Sequence, residues 1–173
     1  MAKQILIGIL NCILPKHLRI VSKKERVKLA KYMDISESIA ALSKDTGAKV
    51  GAIVIDNYNT IRSTGYNGAP RGCDADEIYD SRSIKPEKYY WVAHAECNAI
   101  FTAARVGTPL KGCTLITTHT PCTMCAKAIV QSGIVKVVTK KVDEPFETRW
   151  KNETKRSLAL FKETGVQVVF LVE

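Results

Sequence analysis

A disulfide scaffold is the first thing this sequence lacks. Its six cysteines, at positions 12, 73, 97, 113, 122 and 125, are too few and too scattered for the dense framework that staples small secreted domains. Beside a metal motif, Cys12, Cys73, Cys97 and Cys113 read as reduced thiols of a cytoplasmic protein. Also missing is an apolar run long enough to span a membrane. The stretch from Ile5 to Leu14 is too short, stops at Pro15, and has no A-x-A cleavage pattern after it. It is expected to pack against the domain or another subunit, not to direct secretion. No internal repeat or low-complexity tract occurs. Nor is the net charge of +9 spread evenly. Residues 1–34 hold eight Lys/Arg and two acids, a balance of +6, and the other 139 residues hold 18 and 15, only +3. A uniformly basic nucleic-acid surface is therefore not indicated over the body of the chain. A modest positive balance suits a small phosphorylated substrate equally well.

What remains is ordinary globular composition, 46% hydrophobic and 25% charged over 173 residues, enough for one domain with a proper core. Its chemistry is concentrated in two short stretches. His94-Ala95-Glu96 is answered by Pro121-Cys122-Thr123-Met124-Cys125, with Cys122 lying 28 residues after His94. Together they supply one imidazole, two thiolates and one carboxylate. A structural zinc is usually closed by four protein ligands, whereas a catalytic zinc keeps its fourth position for water. Here the obvious set, His94, Cys122 and Cys125, stops at three and leaves Glu96 as a free acid/base. His94 and Glu96 differ by about 200° around a helix, so they converge only on a metal above a helix N-terminus. Thr120-Pro121 reads as an N-cap followed by proline at the first helical position. Cys122 and Cys125 then share a face in the first turn, where the helix dipole favours thiolates. Two helix N-termini are expected to point at one ion.

Along the chain, the periodicity predicts an amphipathic helix over 23–42, with Val27, Ala30 or Lys31, Ile35 and Ile39 on its apolar face. Strands are predicted over 50–55 and 60–66, joined by the turn-like Asp56-Asn57-Tyr58-Asn59 as a hairpin. Residues 65–72 read as a glycine-rich loop and 74–88 as polar and irregular. Beyond it come a helix over 93–106, a strand over 114–118, a helix over 122–131 and a strand over 134–139. A helix over 147–163 ended by Gly165 and a strand over 166–172 complete the chain. The strand-helix alternation after residue 90 argues for a sheet with helices on both faces.

The two motifs, extended by Asn98-Ala99-Ile100 and by Ala126-Lys127-Ala128-Ile129, resemble those of the deoxycytidylate (dCMP) deaminase family in the cytidine deaminase superfamily. Gly65-Tyr66-Asn67-Gly68-Ala69-Pro70-Arg71-Gly72 is similar to that family's substrate loop, and Val50-Gly51-Ala52 also fits. The likeness covers residues 25–173 and leaves 1–24 as an N-terminal extension. It implies an α/β fold, a three-layer α/β/α domain around a five-stranded mixed sheet, assembled as a homo-oligomer. It also implies zinc on His94, Cys122 and Cys125, with Glu96 moving protons in the hydrolysis of dCMP to dUMP and ammonia, a step toward thymidylate. Asn67 and Gly68 would help to hold sugar and phosphate, their glycine backbone N–H groups approaching the anion. The main chain at Ala95 and near Thr120 would meet the base. Arg105 is weighed equally as a helix-end charge that complements the dipole and, since relatives carry Arg at that position, as part of a subunit contact or an effector site for dCTP, with Mg2+, or dTTP. Cys73-Asp74-Ala75-Asp76 departs from the acidic stretch of relatives, which weakens the implied regulation. Arg71 is weighed equally as a phosphate partner and as a solvated side chain.

Other readings share parts of this pattern. A deaminase of tRNA adenosine or single-stranded DNA cytosine has the same zinc chemistry and draws support from the basic residues between Lys16 and Lys31. The loop at 65–72 and the weak charge of the body argue against it. A non-catalytic zinc or nucleotide-binding module is opposed by the intact Glu96. A nucleoside or guanine deaminase is a third relative of the same chemistry.

Overall fold

β-Branched residues in short alternating runs build the sheet, and their alternation fixes which helices cover which face. The computed structural model describes residues 21–73, 84–140 and 144–171, the side chains only from 151 onward in the last segment. The expectations for residues 5–14, for the basic stretch before residue 21 and for most of 74–88 lie outside the described residues.

The elements run α1 (Lys23–Ala40), β1 (Gly51–Ile55), β2 (Ile61–Tyr66), α2 (Lys88–Trp91), α3 (Ala95–Arg105), β3 (Thr114–Thr117), α4 (Thr123–Gln131), β4 (Lys136–Lys140), α5 (Glu144–Thr164) and β5 (Gln167–Leu171). The five strands form one sheet in the order β2-β1-β3-β4-β5. β1 is antiparallel to both β2 and β3, while β3, β4 and β5 are parallel. The parallel steps are made by α4 and α5 as crossovers, as parallel pairing requires. Fold class and mixed sheet are as expected. The four-residue α2 was not expected, since four residues carry no periodic signal.

Side chains alternate across the sheet with period two. Ala52, Val54, Leu115 and Val137 join Ala99, Ala103, Ile129 and Phe161 on one side. Ile53, Ile55, Ile116, Val138 and Val169 meet Leu29 and Met33 of α1 on the other. Both faces are thus covered, giving three layers.

The buried face of α1 corrects the predicted one. Leu29, Met33, Ser36 and Ala40 face the sheet, while Val27 and Ile35 are exposed. Small residues explain the difference. A Cβ on Gly51 would collide with the backbone of Ser36 and Ala40, so α1 lies directly on β1. Ser36 Oγ is 3.2 Å from the Ile116 carbonyl, to which it donates. Close backbone approach, rather than side-chain hydrophobicity, decides which stripe is inside. α3 uses the same device on the other face. A Cβ on Gly65 would strike Ala95 O and Ala99 N, and Ser63 Oγ donates to Ala99 O at 2.6 Å. α3 is thereby held against β2 with its N-terminus beside the carboxyl end of β3. Among the described residues no helix is long and apolar enough to cross a membrane.

Candidate active site and metal centre

His94 occupies the N-cap of α3 and Cys122 the N-cap of α4, both with extended backbone, and neither makes a side-chain capping bond. His and Cys are not the residues that cap helices well. Their side chains are turned to each other instead. His94 Nδ1 lies 3.4 Å from Cys122 Sγ and 3.5 Å from Cys125 Sγ. The predicted cap is therefore corrected by two positions: Thr120 and Pro121 precede the cap, and Cys125 sits inside the first turn. The helix N-termini do converge.

The missing local cap is supplied from far away. Glu153 of α5 accepts a hydrogen bond from the Thr123 N–H at 3.0 Å. That bond holds the Glu153 carboxyl below its ordinary range. A carboxylate at a helix N-terminus also suits the dipole.

The three donor atoms of His94, Cys122 and Cys125 lie within 4.8 Å of one another. A tetrahedral zinc with Zn–N of about 2.05 Å and Zn–S of about 2.3 Å sets N and S about 3.6 Å apart. The observed 3.4 and 3.5 Å match that separation closely, and imidazole with two thiols is a zinc-type donor set. Cys122 is pulled down to about 4, first by its hydrogen bond with Cys125 and then by His94. His94 is raised to about 9 mainly through its bond with Cys122, against the effect of burial. Its hydrogen bonds with Cys122 and Cys97, and then burial, push Cys125 up. Cys97, also buried, stands 3.6 Å from Cys125 Sγ and lies outside the three-donor cluster.

Glu96, in the first turn of α3, is 3% exposed. Burial raises its carboxyl above the ordinary value, and Cys125 Sγ is within 3.6 Å of its Oε2. It lines a pocket of about 220 Å3 together with His94, Ala95, Thr120 and Cys122. A buried carboxyl with a raised pKa beside a candidate metal-binding cluster is the kind of group that exchanges protons with a reacting molecule.

The loop expectations change in detail. Asn67 lines the pocket, but its amide nitrogen already donates to Asp45 Oδ2 at 3.0 Å and Ala48 O at 2.9 Å. Its Oδ1 accepts from the Val50 N–H at 2.7 Å. The Asn67 and Gly68 N–H groups bond Val50 O and Ala93 O, so the expected cradle of bare backbone donors is not formed at these two positions. Arg71 donates to Thr102 on α3. Arg105 is exposed in the last turn of α3, away from the pocket-lining set. The structure adds lining residues that the motifs did not announce: Asp45, Lys85, Lys88, Tyr89, His119 and Glu153. Burial lowers the pKa of His119 and so favours its neutral form. Lys88 and Tyr89 share α2, with Lys85 just before it, while Asp45, His119 and Glu153 come from separate parts of the chain that the fold brings together.

Comparison with known proteins agrees with this geometry. The family profile described as the cytidine and deoxycytidylate deaminase zinc-binding region matches residues 26–141. An uncharacterised deaminase from the luxG 3' region of Aliivibrio fischeri is 39% identical over 82% of this chain and 91% of its own length. The deoxycytidylate deaminase of Homo sapiens is 38% identical over 62% of this chain, a match that spans 61% of the human protein. A crystal structure of the dCMP deaminase of cyanophage S-TIM5 with dCMP and dUMP superposes with a TM-score of 0.64. It is 28% identical and covers 87% of this chain and 99% of its own. The chain belongs to the cytidine and deoxycytidylate deaminase family with its zinc-binding region.

Proposed function

We propose that this protein hydrolyses dCMP to dUMP and ammonia, feeding thymidylate synthesis. The observation that carries the reading is the placement of Glu96 in the pocket beside a three-donor cluster of zinc spacing. The named activities of the human and cyanophage relatives support the choice of a mononucleotide. His94, Cys122 and Cys125 would hold the zinc, which when bound supplies Lewis acidity that brings water toward ionisation at neutral pH. The protein's own part is proton handling and positioning. Glu96 takes the proton of the attacking water, passes one to ring N3, and helps to protonate the departing amine. The Ala95 N–H at the first turn of α3 and the main chain at Thr120 would meet the edge of the base. Asn67 and Gly68 contribute to sugar and phosphate recognition, Asn67 with the second lone pair of Oδ1 and both by holding neighbouring groups.

Two finer features belong to the same reading. The outer face of α3 leaves Phe101 and Val106 exposed at 60% and 63%. Phe101 lies one turn from Arg105, as a contact between copies of the chain would need. A homo-oligomer with Arg105 at its contact, or at a site for dCTP with Mg2+ or for dTTP, is proposed on that ground. The deciding experiment offers zinc-loaded protein dCMP, deoxycytidine, CMP and a cytosine-containing oligonucleotide and follows ammonia release. A kcat/KM highest for dCMP is expected. Faster turnover of the oligonucleotide would replace this reading with that of a nucleic-acid deaminase.

A further inference from the structure

The pocket has an electrostatic polarity that the motifs do not reveal. Among its described lining residues, Lys85 and Lys88 are the only lysines or arginines. Glu153 also lines it and is tied to the α4 N-terminus at Thr123, next to the metal ligand Cys122. A phosphate monoester carries about −1.5 to −2 charges at neutral pH. It is repelled from the Glu153 side and drawn to the lysines.

We infer that Lys88, assisted by Lys85, forms the subsite for the 5'-phosphate, and that Asp45 positions Lys88 for it; the inference rests on the dCMP reading above. Lys88 Nζ is 2.6 Å from Asp45 Oδ1, and the two side chains are only 18% and 5% exposed. The pairing orients Lys88 without exhausting it. An ammonium has three N–H donors, and Asp45 takes one. Asp45 in turn is satisfied by other donors, the Gly47 N–H at 2.7 Å and Asn67 Nδ2 at 3.0 Å. Both of those donors are neutral, so Asp45 keeps its charge and offsets that of Lys88; a phosphate would meet the two N–H groups left on the Lys88 ammonium together with the charge of Lys85. Gly47 leaves the ammonium room, since a Cβ there would stand 3.3 Å from Nζ.

The same network gives the substrate loop an indirect task. Asn67 grips Asp45, which grips Lys88. Gly68 exchanges two backbone hydrogen bonds with Ala93, at 3.1 and 2.9 Å, and so anchors the chain that follows α2. Val92 N–H bonds Lys88 O at 3.0 Å, closing the link. Loop residues 67 and 68 therefore reach the phosphate through Lys88.

The test compares dCMP with deoxycytidine, which lacks the phosphate, in Lys88→Gln, Lys88→Arg, Lys85→Gln and the double Gln variant. Lys88→Gln is expected to lower the dCMP to deoxycytidine ratio of kcat/KM by about 10- to 100-fold, the worth of one charge-assisted hydrogen bond. Lys88→Arg, which keeps the charge, should restore part of the ratio. Calorimetry on the zinc-loaded proteins should find dUMP binding weakened by a similar factor, with deoxyuridine binding little altered. Zinc content and thermal melts screen each variant for folding. Lys85→Gln leaves the Asp45 pair intact, so it stands in if Lys88→Gln melts, and a lowered ratio is expected there too. A ratio unchanged in the double variant, or equal losses on both substrates, overturns the inference. Wild-type protein with no preference for dCMP overturns the dCMP reading first, and this inference with it.

Discussion

Removal of the Glu153 carboxylate tests whether the metal centre depends on a cap delivered from outside its own motif. In Glu153→Ala the Thr123 N–H loses its 3.0 Å acceptor. Loss of a helix cap costs about 0.5–2 kcal/mol, and the charge–dipole part of that about 0.3–1 kcal/mol. The Glu153 side chain is 38% exposed, so solvent replaces some of the interaction and the lower half of the range, about 0.5–1 kcal/mol, applies. For a chain of this size about 1 kcal/mol moves Tm by about 2–4 °C. The Arg156 contact at 3.9 Å is between exposed groups and adds little. The larger consequence falls on zinc. Cys122 and Cys125 both ride on the first turn that Glu153 holds, and groups that orient metal ligands are worth about 10- to 100-fold in metal affinity. A drop of about tenfold is expected in competition with a chromogenic chelator. Glu153→Gln, which keeps an acceptor and loses the charge, should recover much of both effects. The sign of the pH dependence follows from the depressed carboxyl of Glu153. Its stabilisation is present above the unfolded carboxylate value of about 4.3 and fades as pH falls through the lower folded value. The Tm values of wild type and Glu153→Gln should therefore draw together as pH falls from about 4.3 through the lower folded value of Glu153. An alanine variant with wild-type Tm and zinc affinity at pH 7 would refute the capping argument.

Glu96→Gln should retain about one zinc per chain by elemental analysis while losing at least ~10²-fold in turnover; near-normal rates would sink the proton-transfer role. Prolonged chelation, and likewise Cys122→Ala or Cys125→Ala, should remove metal and activity together, with zinc restoring only the wild-type protein. Gly51→Ala should destabilise by at least about 1–3 kcal/mol in urea titration, because the added Cβ meets backbone of Ser36 and Ala40 rather than a side chain that can swing away. Arg105→Glu should leave zinc content intact and change either particle mass by light scattering or the response of dCMP turnover to dCTP. A variant matching wild type in both makes Arg105 a helix-end charge.

The parts of the site that are contiguous in sequence were legible. His94, Glu96, Cys122 and Cys125 sit within two short stretches, and their spacing encodes two helix starts facing one point. The strands were legible for a similar reason: Ile53, Val54 and Ile55 are β-branched and buried on both faces. Where the reading failed, a residue's size or a distant partner decided the outcome. In α1 the apolar-looking Val27 and Ile35 are outside, because Ser36, Ala40 and Gly51 permit a backbone contact that no hydropathy pattern signals. At α4 the proline and threonine of a good local cap were present, yet the cap position went to Cys122, a candidate metal ligand, and the Thr123 N–H to Glu153, 30 residues on. Asn67 was singled out as a substrate residue, but its partners Asp45, Ala48 and Val50 were invisible until the hairpin brought them together. Departure from local rules at His94 and Cys122 is what a functional site produces.

The position of Phe161 bears on how small a working version of this protein can be. The family profile ends at residue 141, by which point the three candidate metal ligands and Glu96 have been supplied. Phe161 is nevertheless fully buried, packed in the cluster that also holds Ile129 and Val137, and β5 covers the edge of β4. A fragment cut at 141 would keep the three candidate ligands and Glu96, lose the Glu153 carboxylate that caps α4, and leave β4 as a bare edge with its apolar face open to water, a template for aggregation. The smallest unit that can keep the site in solution therefore extends through Leu171, thirty residues past the last recognisable signature of the family.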